Sequence, residues 1–372
     1  MSKKPYIPLC IPDIRGNAIE MVSNAINENW VSSAAPGVDV FENKIAQIVS
    51  SKFALATISG SAALHLALVT LGIGKGSKVL VPDFTFVATI NAVIMTGATP
   101  ILVDINNYSW TLDLNLTEKA IKLHKPDAVI VVHTLGHSAE MDELKSMCAT
   151  KNVFLIEDAA ASIGSNYKGK SIGTIGDAGI FSFNGNKTLT TGGGGALLLQ
   201  SKEYSKRAKL LYKQARDSNE YTYSEVGFNY RMPNINAALG ISQLNYLTNF
   251  INAKRNIAKI YDNALKELKN IKSMPRLEWG DSSCWLYSIK TSNKQTSLSI
   301  IDFLKSKNIE AKLFWNALSI QIPYKGFLSE LQGNSVELSG SIVSIPCSTS
   351  LKNSEQQRVI EALIEWDSLD KI

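Results

Sequence analysis

Lys187 stands in the run FSFNGNKTLTTGGGG, just after the apolar stretch GIFSF and just before four consecutive glycines. So little side-chain bulk around a lysine lets a ligand or a second chain come close to the backbone, and an amine held there suits attack on a carbonyl group. The plainer alternative is an exposed loop lysine. Asp158 closes the run VFLIED. A carboxylate at the carboxyl end of a strand faces the crevice where open α/β sheets bind ligands, although the same residue type also caps helices. Gly60, Ser61 and Ala62 open the helical pattern SAALHLALVTL directly after a short apolar run. The free N–H groups and positive dipole end of such a helix form a cup for a phosphate. Phe84 and Phe86, in PDFTFVAT, follow the run KVLV and suit either the core or the face of a planar ligand.

Other motifs carry less. His133 and His137 (HTLGH) have the spacing of a metal pair, but Gly136 interrupts them, no Glu follows the first, and the segment leaves a strand, so no metal is expected. His65 falls inside an apolar helix, as a core histidine does. The segment GIGKGSK lacks the Walker spacing and precedes a strand, so it reads as a helix-ending turn. One cofactor unites the remaining groups. Pyridoxal 5′-phosphate needs a lysine amine for its Schiff base, a carboxylate to keep its pyridine nitrogen protonated, and donors for its phosphate. Its protonated ring stabilises the carbanion left when a substrate Cα proton departs. Lys187 is then the natural general base, provided the site lowers its pKa toward neutrality.

The elements that must position these groups follow from the pattern of apolar runs. Seven of them, at Phe53 to Thr57, Lys78 to Val81, Thr99 to Val103, Ala128 to Val132, Val153 to Ile156, Gly179 to Phe183 and Gly195 to Leu199, alternate with helical periodicities from about residue 14 to 200. This is the βα rhythm of a mostly parallel sheet buried on both faces, an α/β fold. Beyond Asn234 a long helical segment leads into a mixture of strands and helices, so we expect a large domain at 1–245 and a smaller C-terminal α+β domain at 246–372. The chain has 372 residues, a net charge of +5 and 45% hydrophobic residues, which excludes disorder or coiled coil as the main state. The basic excess is scattered, which argues against nucleic acid as a partner. Cys10, Cys148, Cys284 and Cys347 are too far apart for a disulfide framework, so a reduced, cytoplasmic protein is expected. The segment Met1 to Asp13 has no apolar leader region, and no apolar stretch is long enough to span a membrane.

Nearly the whole chain resembles the pyridoxal-phosphate nucleotide-sugar aminotransferases, the DegT/StrS aminotransferase family of aspartate-aminotransferase-like fold type I. The resemblance runs through NWVSS, SGSAALHLAL, PDFTFVATINAV, GATPILVDI, VVHTLGH, LIEDAAASIGS, GDAGIFSFNGNKTLTTGGGG and GFNYRMPNINAALG in order. It implies a large, mostly parallel seven-stranded sheet domain. It further implies that Lys187 is the Schiff-base lysine, Asp158 the partner of the pyridine nitrogen and Phe86 the ring-stacking aromatic. Gly60, Ser61, Ala62 and Ser182 would hold the phosphate, and Asn229 would reach it from the neighbouring subunit, with Arg231 close by, in a homodimer with shared sites. Two departures stand out: Ala161 occupies a position usually held by His or Gln, and GGGG at 192–195 replaces GEGG. Lys187 is kept where dehydratase relatives have His, which favours transamination.

The subset most similar to FNGNK and TTGGGG comprises 4-aminotransferases of the bacillosamine, legionaminic acid and perosamine pathways. It implies L-glutamate as amino donor (leaving as 2-oxoglutarate), pyridoxamine phosphate as the second cofactor form, and a nucleotide-linked 4-keto-6-deoxyhexose as acceptor. A UDP-linked 2-acetamido sugar destined for a surface glycan such as O-antigen or capsule is the expected example. Trp30 and Ser32, with Trp315 and Tyr324, would line the sugar and nucleotide pocket, the last two being open to a plain packing role. Amination of a 3-keto sugar, or pyridoxamine-phosphate-dependent sugar dehydration, is the alternative on the same fold. A non-catalytic regulator would be a different class, and no basic helix-turn-helix segment supports it.

Overall fold

The computed structural model describes residues 5–216 and 221–369. Helices α1 (Ala18–Asn27) and α2 (Gly37–Val49) lead into β1 (Phe53–Thr57), α3 (Gly60–Thr70), β2 (Lys78–Pro82), α4 (Val87–Met95) and β3 (Thr99–Val103). There follow α5 (Leu114–His124), β4 (Ala128–Val132), α6 (Met141–Lys151), β5 (Phe154–Asp158), β6 (Ala178–Ser182), β7 (Gly195–Leu199), α7 (Lys202–Leu211), α8 (Asn234–Leu244) and α9 (Leu247–Leu265). The C-terminal part adds β8 (Lys272–Ser273), β9 (Tyr287–Lys290), α10 (Lys294–Ser306), β10 (Lys312–Leu313), β11 (Ser329–Glu330), α11 (Asn334–Leu338), β12 (Ile342–Ile345) and α12 (Asn353–Leu369). The long helical segment beyond Asn234 is thus broken between α8 and α9.

The seven expected strands are all present, β5 ending at Asp158 and β6 starting at Ala178, but the sheet has eight. Its order is β1-β7-β6-β5-β4-β2-β3-β11. Strand β11 comes from the C-terminal part and pairs in parallel with β3, Ser329 beside Leu102 and Glu330 beside Val103. A two-residue strand has no periodicity to read, which is why the pattern of apolar runs missed it. Strand β7 runs antiparallel to both β1 and β6, and the remaining pairs are parallel.

Successive residues of the central strands point to opposite faces. Leu80, Val129, Val131, Leu155 and Phe181 enter one core, and Val79, Val81, Ile130, Ile156 and Ile180 the other. A third core joins α9, α10, α12 and the antiparallel sheet β8-β9-β12-β10 to Ile7, Phe84, Trp110 and Leu135. The N-terminal arm lies along this C-terminal part: Ile7 bridges Ile309, and Cys347 N donates to Leu9 O at 2.8 Å. The chain therefore crosses between its two parts at the arm and again at β11.

Candidate active site

At the carboxyl ends of the parallel strands lies a cavity of about 470 Å³, and Gly60, Ser61, Phe86, Asp158, Ser182, Lys187 and Trp315 all line it. These residues are scattered over more than half of the sequence; the sheet topology brings them together.

Asp158 is held at the middle of the sheet, beside Val132 of β4 and Ile180 of β6. Its Oδ2 accepts the Thr89 hydroxyl at 2.8 Å and its Oδ1 the Ala160 amide at 3.2 Å, while Thr85 and Thr89 exchange a bond at 2.9 Å. Burial pushes its pKa up, and the bonds from Thr89 and Ala160 and the charge of Lys187 oppose that. The carboxylate is thereby aimed and kept short of donors, so that a cation or an N–H donor in the cavity would be its strongest remaining partner.

Lys187 follows a tight turn in which its amide donates to Asn184 O at 3.0 Å. Its Nζ lies 3.6 Å from the centroid of the Trp285 ring, and Trp285 Nε1 donates to Asn186 O at 2.8 Å. Burial of the amine lowers its pKa to about 8, against the pull of Asp158 and Cys10. A neutral fraction near neutrality leaves this amine able to act as a nucleophile or a base.

Helix α3 starts under Ser59, whose Oγ accepts the Ala62 amide at 3.0 Å. The amides of Gly60 and Ser61 precede the first intrahelical bond and lie on the cavity wall beside Ser182. A Cβ on Gly60 would come within 2.9 Å of Ser182 Cβ, so only glycine permits this approach of helix to strand end. Phe86, at the start of α4, leaves 55% of its surface exposed and its ring centroid is 6.2 Å from that of Trp315. An exposed aromatic beside a cavity with a carboxylate at one end and an amide cup at another fits a planar, phosphorylated pyridine. Lys187, Asp158, Phe86, Gly60, Ser61 and Ser182 would hold it.

Other expected residues sit elsewhere. The Ala62 amide is engaged by Ser59 and Ala62 does not line the cavity, which leaves Gly60 and Ser61 as the residues of this helix start that do. Asn229 is exposed, bridges Lys213 and is absent from the cavity wall. Trp30 is 49% exposed and its carbonyl accepts from Asn234 at 2.6 Å; Ser32 is exposed, and neither lines the cavity. Tyr324 is buried against α4, donating to Asn91 Oδ1 at 2.8 Å, which is a packing role. Arg231 pairs with Asp39 at 2.8 Å. His133 lines the cavity but bonds Glu157 at 3.1 Å while its Nδ1 accepts the Ala139 amide at 3.2 Å, which fixes the orientation of its ring. Sequence reasoning missed Trp285 and Thr89. The run CWLYSIKT gave only a strand, and nothing local sets its tryptophan apart; the VAT segment held Thr89 in plain view, but only the fold brings it to Asp158.

Residues 12–364 match the sequence profile of the DegT/DnrJ/EryC1/StrS aminotransferase family. The GDP-perosamine synthase of Escherichia coli O157:H7 is 34% identical over 98% of this chain and 99% of its own length. The EpsN protein of Bacillus subtilis is 38% identical over 98% of this chain and 96% of its own. The crystal structure of a DegT DnrJ EryC1 StrS aminotransferase from Brucella abortus superposes with a TM-score of 0.90 at 27% identity, covering 94% of this chain and 95% of that one. With a match that spans nearly the whole chain, the chain belongs to the DegT/DnrJ/EryC1/StrS aminotransferase family.

Proposed function

We propose that this pyridoxal-phosphate-dependent aminotransferase moves the amino group of L-glutamate to C4 of a nucleotide-linked 4-keto-6-deoxyhexose, releasing 2-oxoglutarate. The observation that carries the reading is the placement of the Lys187 amine, the Asp158 carboxylate and the α3 amide cup around one cavity. Similarity to GDP-perosamine synthase over nearly the whole chain supports a sugar acceptor aminated at C4. A 2-acetamido sugar on UDP, made for a surface glycan, is the example we favour.

When bound, pyridoxal phosphate supplies an electrophilic carbonyl and a ring that takes up electron density. The chain does the rest. Asp158, buried and aimed by Thr89, would hold a proton on the ring nitrogen. Gly60, Ser61 and Ser182 would hold the phosphate, and Phe86 would cover the ring. Lys187, in its neutral form, would be the nucleophile toward that carbonyl, and its Nζ would be the group placed to take the proton from the donor's Cα and to return one to the acceptor carbon. Trp285 and the surrounding wall limit water at that nitrogen. Asn229 and the exposed faces of Phe86 and Trp30 suit a homodimer in which each protomer completes the other's site. We take residues 1–245 as the large domain and 246–372 as the small one, supported by the break between α8 and α9, and place the enzyme in the cytoplasm.

Among the described residues no helix is long and apolar enough to cross a membrane. The test is to incubate enzyme, pyridoxal phosphate and 15N-glutamate with paired 3-keto and 4-keto nucleotide sugars and to locate the label by NMR. Label at C4 supports the proposal. Label at C3, or loss of a hydroxyl without label, overturns it.

A further inference from the structure

Lys254, on α9, is buried next to the cavity and has no part in the chemistry above. Its ammonium donates to Trp285 O at 2.8 Å and to Cys347 O at 2.7 Å, and lies 3.4 Å from Cys10 Sγ and 3.9 Å from Cys347 Sγ. The two thiols thus face the same ammonium group. Cys10 is only partly buried, and its sulfur sits 3.5 Å from the carbonyl of Asn186, the residue before Lys187. Cys347 is fully enclosed. Cys347 N donates to Leu9 O at 2.8 Å and Ile11 N to Ser348 Oγ at 3.1 Å, so the two segments lie side by side. With both sulfurs also on the one Lys254 nitrogen, the pair is juxtaposed as a disulfide requires, its Cα atoms having to lie roughly 4.4–6.8 Å apart once joined.

The surroundings treat the two sulfurs differently. The neighbouring Cys347 thiol and the charge of Lys254 lower the pKa of Cys10 to about 6, while the Cys10 sulfur and burial push Cys347 well above the usual thiol value. The accessible member is thus the nucleophile and the enclosed one keeps its proton.

We infer that Cys10 and Cys347 are a peroxide-oxidised thiol pair, a modification site seated against Lys254 that, once closed, ties the N-terminal arm to the C-terminal part beside the Lys187 loop. The Cys10 thiolate attacks a peroxide oxygen; the O–O bond breaks, hydroxide leaves and takes up a proton as water, and Cys10 becomes a sulfenic acid. The Cys347 sulfur then attacks the Cys10 sulfur, the S–O bond breaks, and the hydroxyl leaves as water with the Cys347 proton. Two thiols are oxidised to one disulfide, and one hydrogen peroxide is reduced to two waters.

The test uses the reduced holoenzyme and a stoichiometric dose of hydrogen peroxide, followed by denaturation in an alkylating agent and mass spectrometry. A protein lighter by two hydrogens, with a cross-linked peptide joining Cys10 to Cys347 that dithiothreitol releases, supports the inference. In Cys347→Ser, dimedone should label Cys10, and in Cys10→Ser the Cys347 thiol should survive the same dose. Both thiols alkylated after peroxide, Cys347 oxidised equally fast in Cys10→Ser, or an oxygen-bridged Cys10–Lys254 link in place of the disulfide overturns it. Wild-type Cys10 should also react with iodoacetamide at pH 7 about tenfold faster than free cysteine, a measurement that needs no variant. An equal or slower rate counts against the inference.

Discussion

The Lys187 ammonium nitrogen lies over the indole of Trp285, 3.6 Å from the ring centroid, and the same indole fastens the lysine loop through its bond to the Asn186 carbonyl. A cation over an aromatic face is stabilised in its charged form by about 0.5–2 kcal/mol, whereas burial favours the neutral one. Burial wins here, leaving the pKa at about 8.

That balance sets a pH profile. Only the neutral amine can attack, so capture of pyridoxal phosphate by the apoprotein, followed by stopped-flow absorbance, should speed up tenfold per unit below about pH 8 and level off above it. Trp285→Leu removes stabilisation of the charged form. At 1.36 kcal/mol per pKa unit its plateau should begin roughly 0.4–1.5 units lower. A plateau moved upward would assign the indole a desolvating role instead.

Lys187→Ala should lower turnover by roughly 10³-fold or more, since both the nucleophile and the proton carrier go. The circular dichroism spectrum should stay unchanged, because among the described residues no hydrogen bond of this side chain holds the fold. Turnover within tenfold of wild type would remove Lys187 from the mechanism.

Thr89→Val takes a donor from the buried Asp158 carboxylate, a loss of about 1–3 kcal/mol to its charged form. We expect kcat to fall about tenfold with KM for glutamate little changed, rescue by Thr89→Ser, and a deeper loss, about 10²-fold or more, in Asp158→Asn. An unchanged kcat in Thr89→Val would mean that the hydroxyl does not tune the carboxylate.

Gly60→Ala places a methyl group 2.9 Å from Ser182 Cβ and pushes the α3 amides away from the strand end. Affinity for pyridoxal phosphate, read by fluorescence titration, should weaken about tenfold. The loss should shrink in a Ser182→Gly background, where the clash is gone. Equal losses in both backgrounds would place the effect outside this contact.

The proposed sharing of sites between protomers gives a complementation test. Lys187→Ala and Asn229→Ala proteins should each be weakened alone, the second by about 10- to 100-fold. Refolded together, they should regain activity, because each mixed dimer has one site with both residues intact. Activity that never exceeds the sum of the separate proteins would show that Asn229 serves its own chain.

Much of this arrangement was legible in the sequence wherever a residue's role follows from its place on one element. Asp158 at the end of an apolar strand, Gly60 and Ser61 at the start of a helix, and Lys187 beside its glycines needed only local periodicity and turn chemistry. Trp285 and Thr89 were not legible in that way, since each acts on a residue at least 69 positions away in sequence and local pattern is blind to such pairs. Trp30 and Ser32 were assigned through resemblance, and in the single chain they stand at the surface. Tyr324 is where an aromatic of the C-terminal part meets α4, so packing accounts for it.

Strand β11 also has a bearing on the order in which the protein can be completed. Its partner β3 ends at Val103, and Asp104 directly beyond accepts the amides of Gln332, Gly333, Asn334 and Ser335 at 2.7–3.0 Å. On the ribosome, β3 is therefore made more than two hundred residues before the segment that covers it. At roughly 5–20 residues per second the nascent chain carries an open sheet edge for ten seconds or more. A protein cut short before residue 329 would keep that edge for good, and aggregation of such fragments is the hazard this late-arriving strand removes.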